Sequence, residues 1–201
     1  MFFATQPSAE KIRQFIASQR ELPFSYAEVR ATRGPKPTGY TIDHNRIKLG
    51  AGAPTYAQAV EALKQWTHFD LGWGKIVPPG VPIEVGQTVA MQAQHFGFYS
   101  LNAARIVYVL PERSASNSIE PGLTPGARRW GYAYGTLPDH AEQGEERFTI
   151  EWKPDDDSVW YDLFAFSKPK QPIVKLGSPL ARYLQKKFQR ESLAAMVVAA
   201  K

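Results

Sequence analysis

Residues able to do chemistry concentrate in one short stretch: His140, Glu142, Glu145, Glu146 and Arg147 follow the aromatic run that ends at Tyr134. Imidazole titrates near neutral pH, so a histidine beside carboxylates can act as a general base or share a metal with one of them. His140, Glu145 and Glu146 are the catalytic candidates, with His140 and one glutamate as acid and base. A structural role fits the same residues. In it, Glu145 or Glu146 pairs with Arg105 or Arg147, with Arg128 and Arg129 as nearby alternatives, and pins the loop to a sheet while His140 stays exposed.

The remaining motifs are weaker. His44, His68 and His95 stand alone without a second ligand at metal-binding spacing, so no metal is assigned. The absence of cysteine removes disulfide frameworks, thiolate zinc sites and cysteine nucleophiles, and fits a reducing compartment. Gly50 to Thr55 invites a dinucleotide-binding reading with Asp70 downstream, but Thr55 stands where the third glycine belongs. The chain beyond it reads as a meander rather than a doubly wound sheet, so a turn into a helix suffices, with an anion at that helix N-terminus as the binding option left. No Gly-x-Ser-x-Gly elbow or P-loop is present, and no cofactor is expected.

The elements that must position these residues follow from hydrophobic period. Ser8 caps a helix of about three turns whose apolar residues Ile12, Phe15 and Ile16 share one face, and Pro23 stops it. Tyr40 to Leu49 reads as a strand. Thr55 and Gln58 form a capping box for a second helix that buries Tyr56, Ala59, Val60, Leu63 and Trp66. Beyond Trp73 the period becomes two, with alternation through Val89, Met91 and Ala93, through Trp130, Tyr132 and Tyr134, and through Phe148, Ile150 and Trp152. Further strands are expected at Ala104 to Leu110 and Val159 to Phe166, and Pro111 to Arg129 reads as a long hairpin connection. Asp162 is expected at a solvent-facing edge. A last helix opens at Ser178-Pro179 and runs to about Val198, burying Leu180, Leu184 and Phe188 with Arg182, Lys186 and Arg190 on its opposite face.

With 201 residues, 43% hydrophobic and 21% charged, the chain suits one globular domain. No stretch approaches the roughly 20 apolar residues of a membrane span, and the N-terminus lacks a signal peptide's basic region, so a cytoplasmic location is expected. The net charge of +5 is a modest excess for a polyanion partner.

Three segments together resemble an uncharacterised family of bacteria and plants, domain of unknown function nineteen-ninety. They are Leu22 to Val29 with Ala31 to Gly34, Leu49 to Gly52, and Tyr132 to Phe148; Ala165 to Ser167, Pro169, Pro179, Arg182 and Gln185 complete the pattern. Arg30 departs from it where a glycine is usual, and Lys168 where an arginine is. The resemblance implies an α+β, START-like helix-grip fold, a curved antiparallel sheet wrapped around a long C-terminal helix, with an N-terminal helix and a second short helix. Residues 1–22 would form an N-terminal helical extension and 23–201 the START-like domain. It implies no reaction. A helix-grip cavity would take a small hydrophobic, aromatic or lipid-like ligand, with Phe96, Phe98, Arg105, Trp130, Tyr132, Tyr134, Trp160 and Phe164 as binding candidates. The alternatives are an enzyme using His140 with Glu145 or Glu146 in that cavity, and an adaptor or polyanion-binding protein using the basic helix face. No nucleic-acid motif accompanies that face, so nucleic acid is not the expected partner.

Overall fold

The computed structural model describes residues 1–114, 127–153, 155–170 and 178–201. Among these residues eight strands form one antiparallel sheet: β1 (Phe2–Phe3), β2 (Thr41–Ala51), β3 (Gly74–Val77), β4 (Thr88–His95), β5 (Phe98–Ser114), β6 (Arg128–Thr136), β7 (Glu142–Trp152) and β8 (Ser158–Pro169). Their order is β2-β8-β7-β6-β5-β4-β3, and β1 adds to β5. Among the described residues three α-helices accompany them: α1 (Ala9–Gln19), α2 (Gly52–Lys64) and α3 (Ser178–Ala199). Among the described residues no helix is long and apolar enough to cross a membrane.

Because successive strand residues point to opposite faces, the sheet sorts its side chains into two layers. The inner face carries Tyr132, Phe148, Ile150, Tyr161 and Leu163, which pack with α2, the 3₁₀ turn Thr67–Phe69 and the C-terminal half of α3 into the main core. The outer face of β4 and β5 is covered by α1, whose Phe15 and Ile16 pack on Ala90, Leu101 and Ala103. As expected, Ser8 caps α1, its hydroxyl accepting from the Lys11 N–H at 3.2 Å. The Arg105 guanidinium closes the other end, donating to the carbonyls of Gln19 at 3.0 Å and Leu22 at 2.9 Å and to that of Arg20. Cations belong at helix C-termini, where carbonyls lack intrahelical partners.

Four expectations need correction. Helix α2 begins at Gly52, three residues before Thr55, so Thr55 lies inside the first turn and is not its cap. Asp162 is wholly buried because β8 is an interior strand between β2 and β7, not an edge. Leu180 is 46% exposed; Phe188 is buried as expected, and the buried stripe continues from it through Ser192 and Met196 toward the C-terminal end of the helix. The first turns of α3 stand over a cavity rather than a packed core, which moves the buried stripe along the helix. Arg182 does not join an outward basic face; its guanidinium grips both carboxylate oxygens of Asp43 on β2. The connection expected from Pro111 to Arg129 is strand at both ends, with 115–126 outside the described residues.

Candidate functional site

The β6–β7 hairpin builds the site. Tyr134 and Glu146 oppose each other across its ladder on the inner face, and the Tyr134 hydroxyl donates to the Glu146 carboxylate at 2.7 Å. At this end of the sheet a cavity of about 240 Å³ lies beneath the N-terminal half of α3. Trp73, Met91, Tyr134, Leu184 and Phe188 wall it, and Asp43, Glu142 and Glu146 bring carboxylates to it. His140, Ala141 and Phe2 also line it; Phe2 is 77% exposed, which marks the cavity's outer rim.

The environment sets the protonation of these groups. Burial raises the Glu146 carboxyl to about 7, against the Tyr134 hydrogen bond and with help from the charges of Asp43 and Glu142. Burial likewise raises Glu142, although Ser167, Gln185 and the Arg182 charge favour its ionised form. His140 moves the other way. The half-buried ring is closely surrounded, and burial, with smaller contributions from the charges of the amino terminus and Lys170, lowers it to about 4. The Glu142 backbone N–H donates to its Nδ1 at 3.0 Å, so the neutral ring carries its proton on Nε2. At neutral pH His140 is a hydrogen-bond donor rather than a base.

The structure separates the three acid–base candidates. His140, Glu145 and Glu146 all border the cavity, but the Glu145 carboxylate lies on the outer face. There it is 2% exposed and accepts from the Tyr26 hydroxyl at 2.7 Å, the Arg30 N–H at 2.8 Å, and the Thr32 N–H at 3.1 Å and hydroxyl. Its neighbour Arg147 has no exposed surface, donates to the Thr32 carbonyl at 2.8 Å and to Asp162 at 3.3 Å, and lies over the Phe164 ring. Asp162 also meets His44 Nε2 at 2.6 Å. The pinning role foreseen for this stretch falls to Glu145, through hydroxyl and backbone donors of the 26–32 segment.

Of the ligand-binding candidates, Tyr134 borders the cavity. Trp130 and Tyr132 are in the main core, where Tyr132 meets buried His68 at 2.7 Å. Trp160 and Phe164 are on the outer face with Arg46 and Arg147, Arg105 caps α1, and Phe96 and Phe98 are 74% and 58% exposed at the β4–β5 turn. His95 borders the cavity against Trp73, with ring centroids 4.7 Å apart. Sequence reasoning missed Asp43, Met91 and Gln185 as cavity residues. The alternation of β4 already placed Met91 on the inner face, but nothing local signalled Asp43.

A curved antiparallel sheet gripped by a long C-terminal helix defines the helix-grip class of α+β protein. Two solved structures share the fold at 11% identity and a TM-score of 0.52: the hypothetical protein jhp0584 of Helicobacter pylori, over 89% of this chain and 96% of that one, and the ZhuI aromatase/cyclase of a Streptomyces species, over 80% and 93%. The chain belongs to the domain of unknown function family DUF1990, whose model matches residues 25–195. A UPF0548 protein of Dictyostelium discoideum is 38% identical over 99% of this chain and 95% of its own length, and one of Arabidopsis thaliana is 32% identical over 79% and 73%.

Proposed function

We propose that the protein binds a small, largely apolar molecule in the cavity between the sheet and α3. The observation that carries this reading is the cavity itself: about 240 Å³, with aromatic and aliphatic walls and the Glu146–Tyr134 pair on its sheet side. Ligand pockets combine apolar walls with a few placed polar groups in this way. A space of this size under a helix forgoes packing that a filled core would gain, and apolar contact with a ligand recovers it. The binding residues in this reading are Trp73, Met91, Tyr134, Glu146, Leu184 and Phe188.

Titration with the neutral fluorescent probe N-phenyl-1-naphthylamine tests the reading. Saturable, one-to-one enhancement is expected for the native chain. It should be lost in Leu184→Trp, whose larger ring enters the cavity, while that variant keeps its cooperative thermal transition. Equal enhancement in both folded proteins would overturn the assignment of the site.

A further inference from the structure

The carboxylates around the cavity are not equally provided for. Asp43 is held by Arg182, with Nη2 reaching its Oδ1 at 2.5 Å. Glu146 receives one hydrogen bond, from Tyr134, and no cationic side chain reaches it among the described residues. No lysine or arginine borders the cavity among those residues, while Asp43, Glu142, Glu145 and Glu146 do, Glu145 with its carboxylate already engaged by Tyr26, Arg30 and Thr32. Its two histidines, His95 and His140, are both biased toward the neutral form. An ionised carboxylate in an apolar wall is costly unless a cation or several donors meet it. Glu145, one residue away, shows how this fold satisfies a carboxylate it means to keep for itself, with donors from Tyr26, Arg30 and Thr32. Glu146 is left with unused acceptor capacity facing a space walled by Tyr134 and Phe188, and aromatic faces attract cations.

We infer that the cavity's ligand is a small amine with an aromatic or alicyclic body, bound as its ammonium ion against Glu146 while the body packs on Phe188, Leu184 and Met91. This assignment rests on the cavity being a ligand site and adds the charge of what fills it. The ammonium supplies the counter-ion that the chain withholds, and the Tyr134 hydroxyl fixes the carboxylate that receives it. Binding should convert Glu146 fully to its ionised form. Near neutral pH a proton is then released on binding, and the observed enthalpy changes with the ionisation heat of the buffer.

Three ligands of one shape and different charge decide the matter: 2-phenylethylamine, 2-phenylethanol and 3-phenylpropanoate, titrated by calorimetry into the full chain at about pH 8, where Glu146 is ionised and the amine protonated. The amine is expected to bind at least about tenfold more tightly than the alcohol, with no detectable binding of the propanoate. Glu146→Gln should erase the preference, bringing the amine and the alcohol to the same affinity within about twofold of each other, and Tyr134→Phe should reduce it with Glu146 still present. Equal or tighter binding of the alcohol or the propanoate overturns the assignment. If none of the three binds while N-phenyl-1-naphthylamine still does, the amine assignment falls and the cavity's binding role stands; if the probe fails too, both fall.

Discussion

The two faces of β7 hold adjacent glutamates in opposite states. On the outer face, Glu145, Arg147, Thr149 and Glu151 are all at most 2% exposed, and the segment from Tyr26 to Thr32 supplies donors that hold the Glu145 carboxylate. On the inner face Glu146 has a single tyrosine partner and a cavity in front of it. The outer face spends its polar groups on fastening an irregular segment to the sheet, because buried backbone without secondary structure needs side-chain partners. The inner face leaves one polar group open to whatever enters. Charge alone therefore does not mark a site; what marks it is a carboxylate whose hydrogen-bonding capacity the fold does not use up.

This contrast breaks most visibly at Glu145. Glu145→Ala leaves buried donors of Tyr26, Arg30 and Thr32 without an acceptor, and should cost about 3–5 kcal/mol in chemical denaturation. A cost below about 1 kcal/mol would mean that the outer network does not fasten the segment. Next comes Gly135, the partner of Glu145 in the ladder, where an added Cβ would lie 2.2 Å from the Tyr26 hydroxyl. Gly135→Ala should displace Tyr26 and cost about 1–3 kcal/mol, read from the same denaturation midpoint.

Glu146→Gln sharpens the comparison through pH. The folded carboxyl is raised from its ordinary 4.5 to about 7, so its contribution to stability is fully present below about 4.5 and is lost as pH rises through 7. His68 and His140, lowered by burial to about 3 and about 4, contribute with the opposite sign: their share is present above 6.5 and lost as pH falls toward those values. Subtracting the two proteins' stability curves cancels the histidines. The difference should favour Glu146→Gln increasingly between about pH 4.5 and 7 and then level off; a flat difference would remove the cavity-facing carboxyl from its assigned environment.

The smallest effect is expected at Arg30, an exposed residue with φ of 72° whose backbone N–H serves Glu145. Left-handed backbone favours glycine, the residue that the resemblance leads one to expect at this position. Arg30→Gly should stabilise by about 0.5–1 kcal/mol through relief of that strain, measurable as a raised melting temperature; destabilisation would show that the arginine side chain compensates for its backbone.

Much of the architecture was legible because period and capping are local signals. The Ser8 cap, the alternation through Trp130, Tyr132 and Tyr134, and the long last helix were all readable, and the resemblance carried the helix-grip fold. The candidate site was legible only in part. His140 and Glu146 were among the residues singled out, and parity along β7 puts Glu146 on the face of Phe148 and Ile150; what it could not show is that the Tyr26–Thr32 segment covers the other face and takes up Glu145. Arg105 and Asp162 were misplaced for the same reason, since a helix end and a neighbouring strand distant in sequence decide their surroundings. Asp43 joins the cavity through the pairing of β2 with β8, a contact across the length of the domain.

The most direct test uses the chain's three methionines as reporters, with Met91 on the cavity wall and Met196 fully buried in the main core away from it. With ¹³C-labelled methionine methyl groups, titration with N-phenyl-1-naphthylamine should shift the Met91 resonance saturably and leave Met196 in place. A saturable shift of Met196 with Met91 unmoved, or no shift of either at concentrations where the probe fluoresces, would contradict a binding site beneath α3.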